Sequence, residues 1–284
     1  MLTQKLQTMV RYGMLLSALV QLHLFSYGIA QGQTSGENAL VSALASVIYL
    51  EKEDYQIISL DIYSLRKASP QTVTLPGFEK GEDYIVVAAG DDVRIKDLDI
   101  YVEDEAGNNL GKDDKVGHIA SVAFRARSNE RIKVKVDGYD MTVPEAYYVL
   151  VTARKAKNVI SCRDAFKRGI EVLEAIDKHL DCTILSFSLN VIEANKNFVT
   201  TTELKRRSTY RIFAVGDDDR VLDIDLAVKD YKGKTLIKDD DEENLAMVRF
   251  RPDSTDDYKL VVTGYKYARS YKDAYFVLIV SEEN

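Results

Sequence analysis

Two periodicities alternate along the chain. Over residues 38–50, Leu40, Leu44, Val47 and Ile48 recur at helical spacing, and Glu37 favours the N-terminal dipole of the amphipathic helix they predict. The period then drops to two, with Ile58, Leu60 and Ile62 predicted inward and Ser59 and Asp61 outward. Short alternating runs at 71–75, 83–89, 97–104, 119–125, 132–136 and 146–152 predict further strands, with a turn at Gly107. A second helix is predicted over 164–180, with Ser161 and Asp164 as cap-type residues and Phe166, Ile170, Leu173 and Ile176 as its stripe. Leu185, Phe187 and Leu189 then alternate with Ser186 and Ser188, and strands follow at 211–215, 223–230, 245–251, 258–262 and 274–280.

The second series is a copy of the first. Shifted by 126 residues without a gap, Tyr84 to Tyr139 lies on Tyr210 to Tyr265 with 24 of 56 positions identical. The same shift carries Leu40 to Phe166, Leu44 to Ile170 and Val47 to Leu173, so the duplication includes the helix. The strand after each helix needs a shift of 127 instead, and a bulge or loop adjustment must absorb the extra residue, since a slip would turn every core side chain outward. Several short strands with alternating faces predict a mainly β protein of two tandem antiparallel β-sandwich domains, jelly-roll-like, each preceded by one amphipathic helix. The predicted divisions are residues 1–30, 31–155 and 156–284, with a short basic connector over 154–160.

Residues 1–30 read as a signal peptide. Lys5 and Arg11 form a sparse positive region, residues 13–24 an apolar run, and Gly28, Ile29 and Ala30 offer small residues for cleavage near Ala30. The run is shorter than the roughly 20 residues of a spanning helix, so an uncleaved anchor is the lesser reading, and no later stretch is apolar enough to span. Export to the periplasm or the cell exterior is the expectation. Without Lys5 and Arg11 the net charge falls from −7 to −9, which argues against a nucleic-acid partner. Cys162 and Cys182 flank the second predicted helix. Its length of about 25 Å separates them far beyond the roughly 7 Å that a disulfide tolerates, so no bridge is expected between them.

The candidate chemistry is acidic. Asp91, Asp92, Asp97, Asp99, Asp113 and Asp114 recur as Asp217, Asp218, Asp223, Asp225, Asp239 and Asp240. Asp97 and Asp99 project from one face of a strand, and pairing across Gly107 would bring Asp113 and Asp114 toward them. Two readings fit. Clustered carboxylates in an exported protein suit Ca²⁺ (calcium), a hard cation that takes six to eight oxygens. A solvated strand face fits too, because the mutual repulsion of such carboxylates is only about 2 kcal/mol at an effective dielectric of 20.

Tyr139, Tyr147, Tyr148, Tyr265, Tyr267, Tyr271 and Tyr275 gather near the last loop and strand of each copy. They suit either an aromatic binding platform or half-buried strand positions. Catalytic motifs are missing from the sequence: no Gly-x-Ser-x-Gly elbow, His-Glu-x-x-His helix or glycine-rich phosphate loop occurs. Beyond the leader only His118 and His179 remain, and His118 becomes Asn244 in the other copy.

The run Asp97-Leu98-Asp99-Ile100-Tyr101-Val102, then Gly107, Phe124-Arg125 and 132–136, resembles the bacterial pre-peptidase C-terminal domain. So does its copy at 223–228, Gly233, 250–254 and 258–262. That resemblance implies a small jelly-roll-like sandwich of the kind appended to secreted proteases, with calcium-binding relatives in collagenases. The expectation is an exported, non-catalytic protein that binds a protein or glycan and is calcium-stabilised if the carboxylates converge. A structural or accessory subunit is the alternative, and a hydrolase acting through a carboxylate pair the minor one.

Overall fold

A computed structural model describes residues Ser35–Asn284, apart from Glu130 and Ser270. The residues assigned to the signal peptide lie outside this range. The described chain is mainly β, and it divides into two compact units, one ending at Ile160 and the other running Ser161–Asn284. The division therefore falls after the basic connector rather than within it, because Arg154 and Lys155 still belong to a strand.

The first unit comprises α1 (Ser35–Lys52) and strands β1 (Tyr55–Arg66), β2 (Gln71–Leu75), β3 (Asp83–Gly90), β4 (Ile95–Asp104), β5 (Asn109–Asp113), β6 (Ile119–Arg125), β7 (Ile132–Met141) and β8 (Glu145–Lys155). Within it, β1-β8-β3-β6 form one antiparallel sheet and β2-β7-β4-β5 another. One core joins the two sheets, built from Tyr84, Val86, Val122, Phe124, Tyr148 and Leu150 on the first and Leu98, Ile100, Val102, Val134 and Val136 on the second. The intervening residues of the first sheet, Ile85, Val87, Val149 and Val151, are equally buried, because α1 packs across β8, β3 and β1 through Leu40, Ala43, Val47 and Leu50. β3 and β8 therefore read as near-continuous apolar runs, while the second sheet keeps one polar, solvated face.

The second unit repeats this order strand for strand. It comprises α2 (Arg163–His179), β9 (Cys182–Glu193), β10 (Asn197–Leu204), β11 (Tyr210–Gly216), β12 (Val221–Lys229), β13 (Thr235–Asp239), β14 (Leu245–Phe250), β15 (Asp256–Tyr267) and β16 (Asp273–Glu283). Its sheets run β14-β11-β16-β9 and β10-β15-β12-β13. Helix α2 lies closest where a glycine permits it: a Cβ on Gly169 would sit 2.7 Å from Val277 Cγ2. Among the described residues Cys162 and Cys182, one at each end of α2, are not joined in a disulfide.

Several expectations need correction. Ile58 and Leu185 were expected inward, yet they are 36% and 47% exposed, because the ladder slips past each of them. The two bulges are equivalent at a spacing of 127, so they do not absorb the extra residue. That residue lies where the helix ends, between Leu50 and Tyr55 in one copy and between Ile176 and Cys182 in the other. The N-cap position of α2 is Cys162, not Ser161 or Asp164, although Ser161 Oγ accepts the Arg163 N–H at 3.4 Å. Strand β10 went unforeseen, although Phe198, Val199 and a run of threonines carry a β signal there.

Candidate functional site

Most of the repeated aspartates fasten turns. Asp91 is fully buried after β3 and accepts hydrogen bonds from the Val93 N–H (2.9 Å), the Arg94 N–H (3.1 Å) and the Arg94 guanidinium (2.6 Å). Asn38 on α1 donates to the same carboxylate at 3.4 Å. Asp217 repeats the turn by accepting the Asp219 N–H (2.9 Å), and Asp164 on α2 accepts the Asp218 N–H (3.0 Å), so in both units the helix start is tied to this turn. Asp113 is buried and Asp239 partly exposed, and they accept the Ser121 and Met247 N–H groups at 3.1 and 2.8 Å, which fixes the β5–β6 and β13–β14 connections. Asp97 accepts the Gly117 N–H at 3.2 Å, Asp92 is exposed, and Asp218 pairs with Arg168 at 2.7 Å.

The remaining carboxylates meet on the solvated face of the smaller-strand sheet. In the first unit Asp99 lies directly across from Asp137 on β7, and Asp114 pairs with Lys112. Burial, then Asp97, Asp114 and Asp137, raise the Asp99 carboxyl above the ordinary carboxylate range. In the second unit burial, then Asp223, Asp240 and Asp239, push Asp225 up to about 6, and Asp240 pairs with Lys238. Asp223 is raised as well, by burial first and Glu242 second. The structure thus brings Asp97, Asp99 and Asp114 together, and Asp223, Asp225, Asp239 and Asp240, but sends Asp91, Asp92, Asp217 and Asp218 to a different turn. Among the described residues no group of three or more His, Cys, Asp or Glu is arranged to hold a metal ion. The inward carboxylates are consumed by backbone donors, which is the physical reason the twelve do not converge.

The tyrosines divide in the same way. Tyr148 and Tyr275 are completely buried, and Tyr148 donates to Gln71 Oε1 at 3.0 Å. Tyr271 carries Arg220 over its ring at 4.3 Å. Tyr139 and Tyr265, equivalent at a spacing of 126, are instead 76% and 67% exposed on β7 and β15, on the face that bears Asp99 and Asp225.

That face differs between the copies at its centre. In the first unit one cross-strand row reads Thr72, Lys135, Tyr101, Lys112, with the Lys135 ammonium 5.5 Å from the Tyr101 ring centre and the Tyr101 hydroxyl 3.5 Å from Asp99 Oδ2. The matching row in the second unit reads Val199, Val261, Ala227, Lys238. There the face holds a hollow of about 240 Å³ with Ala227 and Val261 among its lining and Asn197, Asp225, Thr263 and Tyr265 around it. Sequence reading named the carboxylates and the tyrosine but missed the hollow, whose signal is the Tyr101/Ala227 and Lys135/Val261 differences between aligned copies.

No family model matches the chain, and no curated protein matches it. Similar solved structures include the M60 catalytic domain with two CBM51 domains of ZmpB from Clostridium perfringens. It is 8% identical with a TM-score of 0.27, over 78% of this chain and 34% of that one. This chain thus spans about a third of that structure's length. A conserved protein of unknown function from Pseudomonas aeruginosa PAO1 is 11% identical with a TM-score of 0.21, over 79% of each chain. The PBSX exported protein XepA is 8% identical with a TM-score of 0.26, over 81% of this chain and 86% of that one. Likenesses this distant carry no argument about function. No helix among the described residues is long and apolar enough to cross a membrane.

Proposed function

We propose that the chain is an exported, non-catalytic binding protein built from two copies of a helix-backed β-sandwich. Its ligand is a glycan, recognised on the solvated sheet face of the second copy, which carries Tyr265 and Asp225 where the first copy carries Tyr139 and Asp99. The observation that carries this reading is the exposed tyrosine beside an under-neutralised carboxylate, repeated at the same register. An aromatic ring gives contact area at low entropic cost, and carboxylate, amide and hydroxyl groups nearby accept and donate to sugar hydroxyls. A protein ligand is the second form of the same reading, since an exposed tyrosine on a strand is also a typical interface anchor.

The leader over residues 1–30 supports export, and the pattern shared with pre-peptidase C-terminal domains supports an accessory rather than catalytic role. Calcium has no part in the binding step of this proposal. The test is retention of the chain, lacking residues 1–30, on a panel of insoluble and soluble polysaccharides, alone and as Tyr265→Ala. Retention by at least one polysaccharide that the substitution abolishes supports the function. A chain that passes every glycan unretarded contradicts it.

A further inference from the structure

We infer that the hollow on the β10-β15-β12-β13 sheet is a binding site for a single sugar ring, and that Tyr101 and Lys135 fill the equivalent place in the first unit and close it. This deepens the glycan reading and rests on it.

The two faces share strand register and part of the rim, with Asp137 in the first copy where the second has Thr263. Asp99 and Asp225, Asp114 and Asp240, Tyr139 and Tyr265, and Lys112 and Lys238 occupy matching positions. They differ in the middle, where a phenol ring under an ammonium group in one copy becomes Ala227 beside Val261 in the other. The first copy therefore displays a six-membered ring at this place, beneath an ammonium group and with its hydroxyl 3.5 Å from the aspartate. In the second copy that hydroxyl must come from a ligand.

The chemistry at the rim selects the kind of ring. A phenol uses one acceptor, Asp225, beside a rim on which Thr263 donates to Asn197 Oδ1 at 2.9 Å and Asp240 pairs with Lys238. A pyranose carries hydroxyls on several sides to meet these groups, while its C–H face lies on Ala227 with the buried Val261 beneath. At about 240 Å³ the hollow is smaller than the roughly 300–1,000 Å³ typical of drug-sized ligands, which fits one ring and not an oligosaccharide enclosed on all sides. The groups facing Asp225 are Asp223 on its own strand, Lys238 and Asp239 on β13, and Asp240 just past it. Acid outnumbers base among them, so a sugar bearing an amino group binds more tightly than its neutral parent, and less so in high salt.

Calorimetric titration of the chain lacking residues 1–30 tests this with the methyl glycosides of glucose, galactose, mannose, glucosamine and N-acetylglucosamine, and with N-acetyltyrosinamide. The expected result is one site per chain for at least one glycoside. Transplanting the closing pair, as Ala227→Tyr with Val261→Lys, removes that site. Opening the first copy, as Tyr101→Ala with Lys135→Val, adds a second. Should the first double variant fail to fold, Asp225→Asn, a change on the solvated face, replaces it and is expected to weaken binding severely. The inference is overturned if the closed variant binds as the parent does, if the opened variant gains nothing, or if only N-acetyltyrosinamide binds. Polysaccharide retention that survives the closing pair overturns the hollow while leaving the glycan function standing; loss of all glycan binding by the parent overturns both.

Discussion

At the scale of single residues, the repeated carboxylates are mostly turn chemistry. Asp104 accepts the Asn108 N–H at 2.7 Å and Asp230 the Lys234 N–H at 2.8 Å, each closing a hairpin whose glycine, Gly107 or Gly233, has φ near +85°. Such positions recur in both copies because each turn needs its acceptor, with or without a ligand. Replacing Asp91 by Ala strips three local bonds and leaves Arg94 without its buried partner. Unfolding in urea is expected to show a loss of roughly 3 kcal/mol, the lower end for breaking a buried pair. Asp225 acts in the opposite sense. Its folded value of about 6 lies above the ordinary 3.8, so the stability it contributes is full below pH 4 and is lost as pH rises through about 6. Asp225→Asn should therefore raise the melting temperature at pH 7.5 and leave it nearly unchanged at pH 4. Asp61 is also pushed up to about 6 by burial, so the comparison is between variant and parent at each pH. Glu283 behaves conversely: its bonds to Arg249 and Arg211 hold it down to about 2, and that support fades only in strong acid.

At the scale of elements, the two helices are fixed by what lies beneath them. Gly169 occupies the position of Ala43 in the first copy, and its missing Cβ lets α2 approach Val277. Helix propensity alone favours Gly169→Ala by about 1 kcal/mol, but crowding in a packed layer costs about 1–3 kcal/mol. Thermal melts should show a net loss, reversed when Val277→Ala is added. The bulges make a complementary case. Ile58 and Leu185 stand at the extra residue of their strands and face solvent, so Ile58→Thr is expected within about 0.5 kcal/mol of the parent in urea. Leu60→Ala, at a completely buried position two residues on, is expected to cost about 2–5 kcal/mol. The helices and most strands were legible in the sequence because each buries a stripe with its own period. The bulges were not, since an apolar residue at a bulge reads as one more inward position until its ladder partners are known. Nor was the use of Asp113 and Asp239: each holds a backbone N–H eight residues away, and nothing in the spacing announces that a carboxylate will reach it.

At the scale of the whole molecule, each unit repeats one strand order, and aligning the copies separates what folding requires from what has diverged. The tyrosine-to-alanine and lysine-to-valine differences at the centre of the second face were visible in the sequence. They gained meaning only when the register placed all four residues in one cross-strand row beside Asp99 and Asp225. On the proposed function, this face is where the protein meets a glycan. The most direct measurement follows backbone amide shifts in the isotopically labelled chain during titration with the best-retained saccharide. The account predicts shifts concentrated on β10, β12, β13 and β15 around Asp225, Thr263 and Tyr265, with the corresponding strands of the first unit unmoved. Shifts concentrated elsewhere on the chain, or none at saturating saccharide, would contradict it.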